Sequence, residues 1–151
     1  MRVTFDTSVL VAALVEAHAH HTRALPWLKA VADGSLEGVV DVHTLAELWT
    51  TLTRLRVAPP IDGRVARASV FHVRTHFEVV TLPREVYLDA IDRCVSKGLR
   101  SAAMYDALHL VAAEASDVEA LVTFNWADFR RLATPTSPTI RAPPDPPAVV
   151  L

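Results

Sequence analysis

The sequence predicts an α/β fold of three layers, with a central, mainly parallel sheet of four to five strands between two layers of helices. Three observations predict it. Short apolar stretches of strand length alternate with longer segments whose apolar residues recur at helical spacing. The intervening segments are long enough to be right-handed crossovers between parallel strands. And 151 residues fit one domain with one sizeable core.

In chain order, Arg2 to Phe5 is a short strand leading into an apolar helix near Ser8 to Glu16. A second helix runs from about His20 to Asp33, with Gly34 ending it. Gly38 to Val42 ("GVVDV") is the second strand. Thr44 to Arg56 carries Leu45, Leu48, Trp49, Leu52 and Leu55 at helical spacing, and Pro59 and Pro60 end that helix. Asp62 caps the next helix, which reaches about His76. "EVVTL" (78–82) is the third strand, Glu85 to Lys97 is helical, and Gly98 stops it. The stretch "SAAMYDALHLVAAEAS", from Ser101 to Ser116, reads as an apolar helix capped by Ser101. "ALVTF" (120–124) is the fourth strand, Trp126 to Leu132 a short helix, and Thr139 to Ala142 an edge strand. Six of the ten prolines lie from Pro135 onward. The domain is therefore read as 1–142, with 143–151 as a proline-rich, extended and loosely held tail.

Composition narrows the function classes. Hydrophobic residues make up 51% and charged ones 21%, a globular rather than disordered balance. A net charge of −2 is not that of a protein that coats nucleic acid by overall charge, so any such contact must use a local basic surface. The apolar stretch near the start, Val9 to Val15, is far short of a membrane span. No charged n-region precedes an apolar run with a cleavage site. The single cysteine, Cys94, cannot form an intramolecular disulfide, and a reducing cytoplasm is the natural location.

The acidic residues fall where such a sheet binds ligands, outside the carboxyl ends of its strands. Asp6 directly follows the first strand, Asn125 follows the fourth, and Asp128 comes three residues later. Glu47 lies in the first turn of the helix after the second strand. Each has a plain structural reading. Asp6 can cap a helix, Thr44-x-x-Glu47 matches a capping box, and Asn125-x-x-Asp128 matches a helix start. Asp106 is the hardest to explain this way. Apart from Ser101 and the Tyr105 hydroxyl, only Asp106 and His109 interrupt the first twelve residues of its helix with polarity, and a buried carboxylate needs a partner. An ion pair with an arginine is one solution, and a metal ion the other.

Three carboxylates within about 4 Å repel by roughly 4 kcal/mol per pair at an effective dielectric of 20. A divalent cation offsets that repulsion. Carboxylates and water are hard ligands that suit Mg²⁺ or Mn²⁺, and a bound water of lowered pKa is a nucleophile for phosphodiester cleavage.

"FDTSVLVAAL" at the start, "LAELWTTLTR" around Glu47, "YDALHLVAA" around Asp106 and "LVTFNWADF" toward the end together resemble the PIN-domain nucleases, and most closely the VapC-type toxins of bacterial toxin–antitoxin pairs. The motifs follow the family's order over nearly the whole chain. The resemblance implies a PIN-like α/β/α sandwich and a Mg²⁺- or Mn²⁺-dependent endoribonuclease, with Asp6, Glu47 and Asp106 as metal-binding acids. Thr7 or Ser8 and Thr123 match hydroxyl residues that line the family's site. Many members carry a further aspartate where this chain has Asn125; either the site is less negative here, or Asp128 supplies the fourth catalytic acid. The resemblance also implies an RNA substrate, a homodimer and a cognate antitoxin.

Other features carry weaker signals. His18, His20 and His21 can form a zinc site or an exposed polar loop. In the helix from Asp62, the residues Val65, Ala66, Val70, Val73 and Phe77 share an inner face. Arg64, Arg67 and Arg74 lie outside it, as a solvated face, a phosphate-tracking surface or an antitoxin contact. Lys97, Arg100, Arg130 and Arg131 lie near strand ends, and Trp49, Trp126 and Phe129 are expected in the core. Two other function classes compete with the nuclease. One is a PIN-like module that holds RNA or a protein and cleaves nothing. The other is a phosphotransfer enzyme with Asp6 as nucleophile, disfavoured because Ser8 stands where that chemistry wants a second aspartate.

Overall fold

The computed structural model describes residues 1–143. The chain runs β1 (Arg2–Phe5), α1 (Thr7–Leu14), α2 (His21–Ala32), β2 (Glu37–Asp41), α3 (Val42–Arg54), α4 (Gly63–His76), β3 (Glu78–Val80), α5 (Arg84–Ser96), α6 (Ala103–Ala115), β4 (Ala120–Val122), α7 (Trp126–Leu132) and β5 (Thr139–Arg141). The strands lie in the order β3-β2-β1-β4-β5, and every neighbouring pair is parallel. The expected α/β/α sandwich is the fold found. The tail expected from 143 onward falls, beyond Pro143, outside the described residues.

The layers follow from strand periodicity. Val3 and Phe5 of β1, Val40 of β2, and Ala120 and Val122 of β4 face one side, where α1 to α4 cover them with Leu10, Trp27, Leu48 and Val73. Val39 and Leu121 face the other side, against Ala90, Leu108 and Phe129 of α5, α6 and α7. From β1 to β3 the chain steps across the sheet in one direction, then crosses back and fills β4 and β5 in the other. Right-handed crossovers taken in opposite directions place their helices on opposite faces. The reversal puts a topological switch point between β1 and β4. The packing is close enough to demand glycine at 38, where a Cβ would lie 2.5 Å from Val31 Cγ1 and 2.6 Å from Phe77 Cδ1.

Several local expectations change. The α3 helix starts at Val42, because Asp41 caps it: its carboxylate accepts the Thr44 N–H at 3.1 Å. Thr44 and Glu47 therefore form no capping box. Ser101 does not cap α6 through its side chain; it takes φ 60° in the preceding turn, and Ala102 holds the cap position. Asp62 does cap α4, accepting from Arg64 N at 2.8 Å. Phe129 is fully buried, but Trp49 and Trp126 are each 45% exposed, and Val65, expected on the inner face of α4, is 59% exposed. Trp49 meets the start of α4, donating its indole N–H to the Gly63 carbonyl at 3.1 Å. A polar N–H that needs an acceptor keeps such a ring at the rim. Trp126 lies under the Arg130 guanidinium, 4.7 Å from the ring centre. Among the described residues no helix is long and apolar enough to cross a membrane.

Candidate active site

Asp6 follows β1 and sits at the switch point. Its backbone N–H donates to the Val122 carbonyl at 3.0 Å, locking the end of β1 to β4. It occupies the cap position of α1, yet its side chain makes no capping bond. Instead Oδ2 accepts from Ser8 Oγ at 2.6 Å and from Thr123 Oγ1 at 2.9 Å. Hydroxyls from two different elements thus aim one buried carboxylate across the sheet edge. Thr123, fully buried just beyond β4, also accepts the Asn125 backbone N–H at 2.8 Å. The buried Thr7 hydroxyl, at the start of α1, has no hydrogen-bond partner among the described residues. The side chain of Asn125 is exposed and does not cap α7.

Glu47, one turn into α3, reaches across to α6. Its Oε2 accepts from His109 Nε2 at 2.8 Å, while His109 Nδ1 donates to Asp41 Oδ2 at 2.6 Å. Ionised carboxylates only accept hydrogen bonds, so both ring nitrogens carry protons and His109 is an imidazolium. Burial alone pulls the His109 pKa down, but the hydrogen bonds and charges of Asp41 and Glu47 prevail and hold it up at about 10. In return, and against the opposing pull of burial, the imidazolium holds Asp41 and Glu47 below the usual carboxylate range. His43 stacks on Tyr105 at 5.3 Å and approaches Glu47 Oε2 at 3.9 Å.

Asp106 lies one turn before His109, on the same face of α6. Among the described residues it has no ion-pair partner, so the arginine pair is not what balances it. Burial pushes its pKa up to about 6, helped by the negative charges of Asp6, Asp128 and Glu47 and opposed by His109. Asp128 is half exposed and accepts from Arg131 at 2.8 Å.

The carboxyl edge therefore brings Asp6, Glu47 and Asp106 to one side of the sheet, with Asp128 at the rim and the hydroxyls of Ser8 and Thr123 holding Asp6. Sequence reasoning missed Asp41 and His109 as site residues. The available signals were a histidine one turn after Asp106 on an apolar helix and an aspartate ending a core strand. A hard divalent cation suits this donor set: every donor is an oxygen, and Asp106, without an ion-pair partner among the described residues, is repelled by the acids around it. As they stand, no three acidic, histidine or cysteine side chains among the described residues converge closely enough to hold an ion. Glu47 is turned to His109 instead. The histidines near residue 20 form no such group either. His21 Nδ1 is 2.9 Å from the Ala12 carbonyl oxygen, and His20 stacks on Phe124 at 4.7 Å.

The architecture is shared with known structures. VapBC2 from Rickettsia felis, bound to a DNA fragment from their promoter, matches with a TM-score of 0.68 at 18% identity, over 95% of this chain and 99% of the other. VapC20 from Mycobacterium tuberculosis, a sarcin–ricin loop cleaving toxin, matches at 0.63 and 21%, over 79% and 86%. VapBC-1 from nontypeable Haemophilus influenzae matches at 0.62 and 14%, over 94% and 98%. No curated protein matches the sequence significantly. The profile of the PIN domain covers residues 3–135, the span that runs from β1 through α7 and holds every acid of the site. On that match the chain belongs to the PIN domain family.

Proposed function

We propose that the chain is a Mg²⁺- or Mn²⁺-dependent endoribonuclease, the toxin of a VapC-type toxin–antitoxin pair. The observation that carries this reading is Asp106: a half-buried carboxylate with no ion-pair partner among the described residues, raised to about 6 by burial and by three neighbouring acids. A folded protein tolerates such a group where a cation or a reaction uses it.

In this reading Asp6, Glu47 and Asp106 hold the cation and Asp128 is the fourth acid. A bound Mg²⁺ or Mn²⁺ supplies Lewis acidity toward the phosphodiester and toward water. Ser8 and Thr123 fix the Asp6 carboxylate and leave its Oδ1 for ligation. Thr7 and Asn125 complete the polar wall. His109 keeps Glu47 ionised and occupies only its Oε2, leaving Oε1 for ligation. The likeness to VapBC assemblies supports a cognate antitoxin, and the family resemblance supports a homodimer. The lone buried cysteine supports a cytoplasmic location.

The test is cleavage of a structured RNA in Mn²⁺, with EDTA as control. Wild type cuts, while Asp6→Asn and Glu47→Gln do not. Cutting by both variants at the wild-type rate, in preparations free of host nuclease, overturns the site. A second reading, a PIN-like module that binds RNA or protein without cleaving, is favoured by one observation: Glu47 is engaged by His109 rather than turned to Asp6 and Asp106. Tight RNA binding with no cleavage in Mn²⁺ supports that module instead.

A further inference from the structure

A polyanion approaching Asp6, Glu47 and Asp106 meets their repulsion first, so the site needs fixed positive charge beside it. Of these acids Asp106 borders an open cavity of about 450 Å³, whose wall also contains Asp128, Arg100, Ser101 and Arg131. Arg100 comes from the turn before α6 and Arg131 from α7. Arg100 makes no ion pair or side-chain hydrogen bond among the described residues, and it is exposed. Arg131 uses one nitrogen on Asp128, in a pair whose side chains are 60% and 52% exposed. Exposed pairs of this kind are weak and exchange readily. The turn that carries Arg100 is fixed by two residues in the left-handed region, Gly98 at φ 64° and Ser101 at φ 60°.

We propose that Arg100 and Arg131 form a phosphate-binding pair on the wall of this cavity, gripping the RNA backbone next to the bond presented to the acids. The proposal rests on the nuclease reading and adds to it the path of the strand, which runs past α7 and the α5–α6 turn. Guanidinium groups suit the role because their planar donors match phosphate oxygens. Arg131 leaves Asp128 for the phosphate, so substrate entry also frees that carboxylate.

The experiment measures binding of a fluorescent single-stranded RNA by anisotropy across a salt titration, with the cleavage-silent Asp6→Asn chain in Mn²⁺ as background. Removing one arginine–phosphate ion pair flattens the slope of log K against log salt by about 0.7 for a single strand. Arg100→Gln and Arg131→Gln should each do so, the double variant by about 1.4, and Arg131→Lys should restore most of the slope. In the cleaving chain the same changes should raise KM with little change in kcat. Arg64→Gln and Arg74→Gln, on the basic face of α4, should leave both readouts unchanged. A slope carried by the α4 arginines instead, or unmoved by the double variant while cleavage persists, overturns the phosphate pair and leaves the nuclease standing. A wild-type chain that neither binds nor cuts RNA overturns both.

Discussion

His109 of α6 donates its Nε2–H to Oε2 of Glu47 on α3 at 2.8 Å. The same ring donates to Asp41 at the end of β2, so one imidazolium joins three elements at the carboxyl edge. It is 7% exposed, and one positive charge stands between two negative ones. The folded chain holds the His109 proton up to about pH 10, against an ordinary value of 6.5. Between those values the folded state binds a proton that the unfolded state has lost. The contribution is therefore complete below pH 6.5 and disappears as pH rises through about 10. The lowered Asp41 and Glu47 act at the opposite limit: their contribution is present above their ordinary values and is lost as the chain is acidified through the folded ones. Melting temperatures measured from pH 6 to 10 should fall more steeply for wild type than for His109→Gln. That variant should also be destabilised by about 3–5 kcal/mol at neutral pH, because it leaves Asp41 buried without its cation. Parallel pH profiles for the two proteins would show that the imidazolium does not join these elements.

Asp106 predicts the reverse sign. Its folded pKa of about 6 lies above the ordinary 3.8, so stability declines as pH rises from 3.8 to 6 and the strain is complete above that. Asp106→Asn keeps the shape and removes the charge. At pH 7.5 without metal it should stabilise by about 0.5–2 kcal/mol, a range kept small because solvent partly screens the group. For a chain of this size that is about 2–4 °C per kcal/mol. It should also reduce the stabilisation that Mn²⁺ gives wild type by mass action. Thermal melts in EDTA and across a Mn²⁺ titration check both. A strongly destabilised variant, whose parent ignores Mn²⁺, would mean that Asp106 serves packing alone.

Local pattern was enough for the layers. The alternation of Val3 and Phe5 against Thr4 sets one strand's faces, and Asp6, one residue beyond it, had to fall at the sheet edge. What could not be read was pairing across distance. Asp41 and His109 are 68 positions apart, Glu47 and His109 62, and no periodicity links them. The Thr44 and Glu47 spacing fitted a capping box, but Asp41, three residues before Thr44, took the capping bond. The buried imidazolium took Glu47. Trp49 and Trp126 were misplaced for a related reason: apolar spacing cannot distinguish a core ring from one held at the rim by Gly63 or Arg130.

Asp128 and Asn125 give the last prediction. Both stand at the start of α7 and both are exposed, but only Asp128 bears charge, and Asp106 feels it. Asn125 contributes a backbone N–H to Thr123, which Asn125→Ala preserves. Asp128→Asn should therefore lower cleavage by about 10-fold or more, in the range expected when a supporting carboxylate beside a metal site is lost. Asn125→Ala should change it far less. The Asp128 variant should also separate kcat from KM. Removing the carboxylate releases Arg131 from its 2.8 Å pair, so RNA binding should tighten while turnover drops. Steady-state kinetics over a range of Mn²⁺ concentrations resolve the two effects. Equal and negligible changes in both variants would mean that Asp6, Glu47 and Asp106 suffice. A raised KM in Asp128→Asn would mean instead that the carboxylate holds Arg131 in its working position rather than away from it.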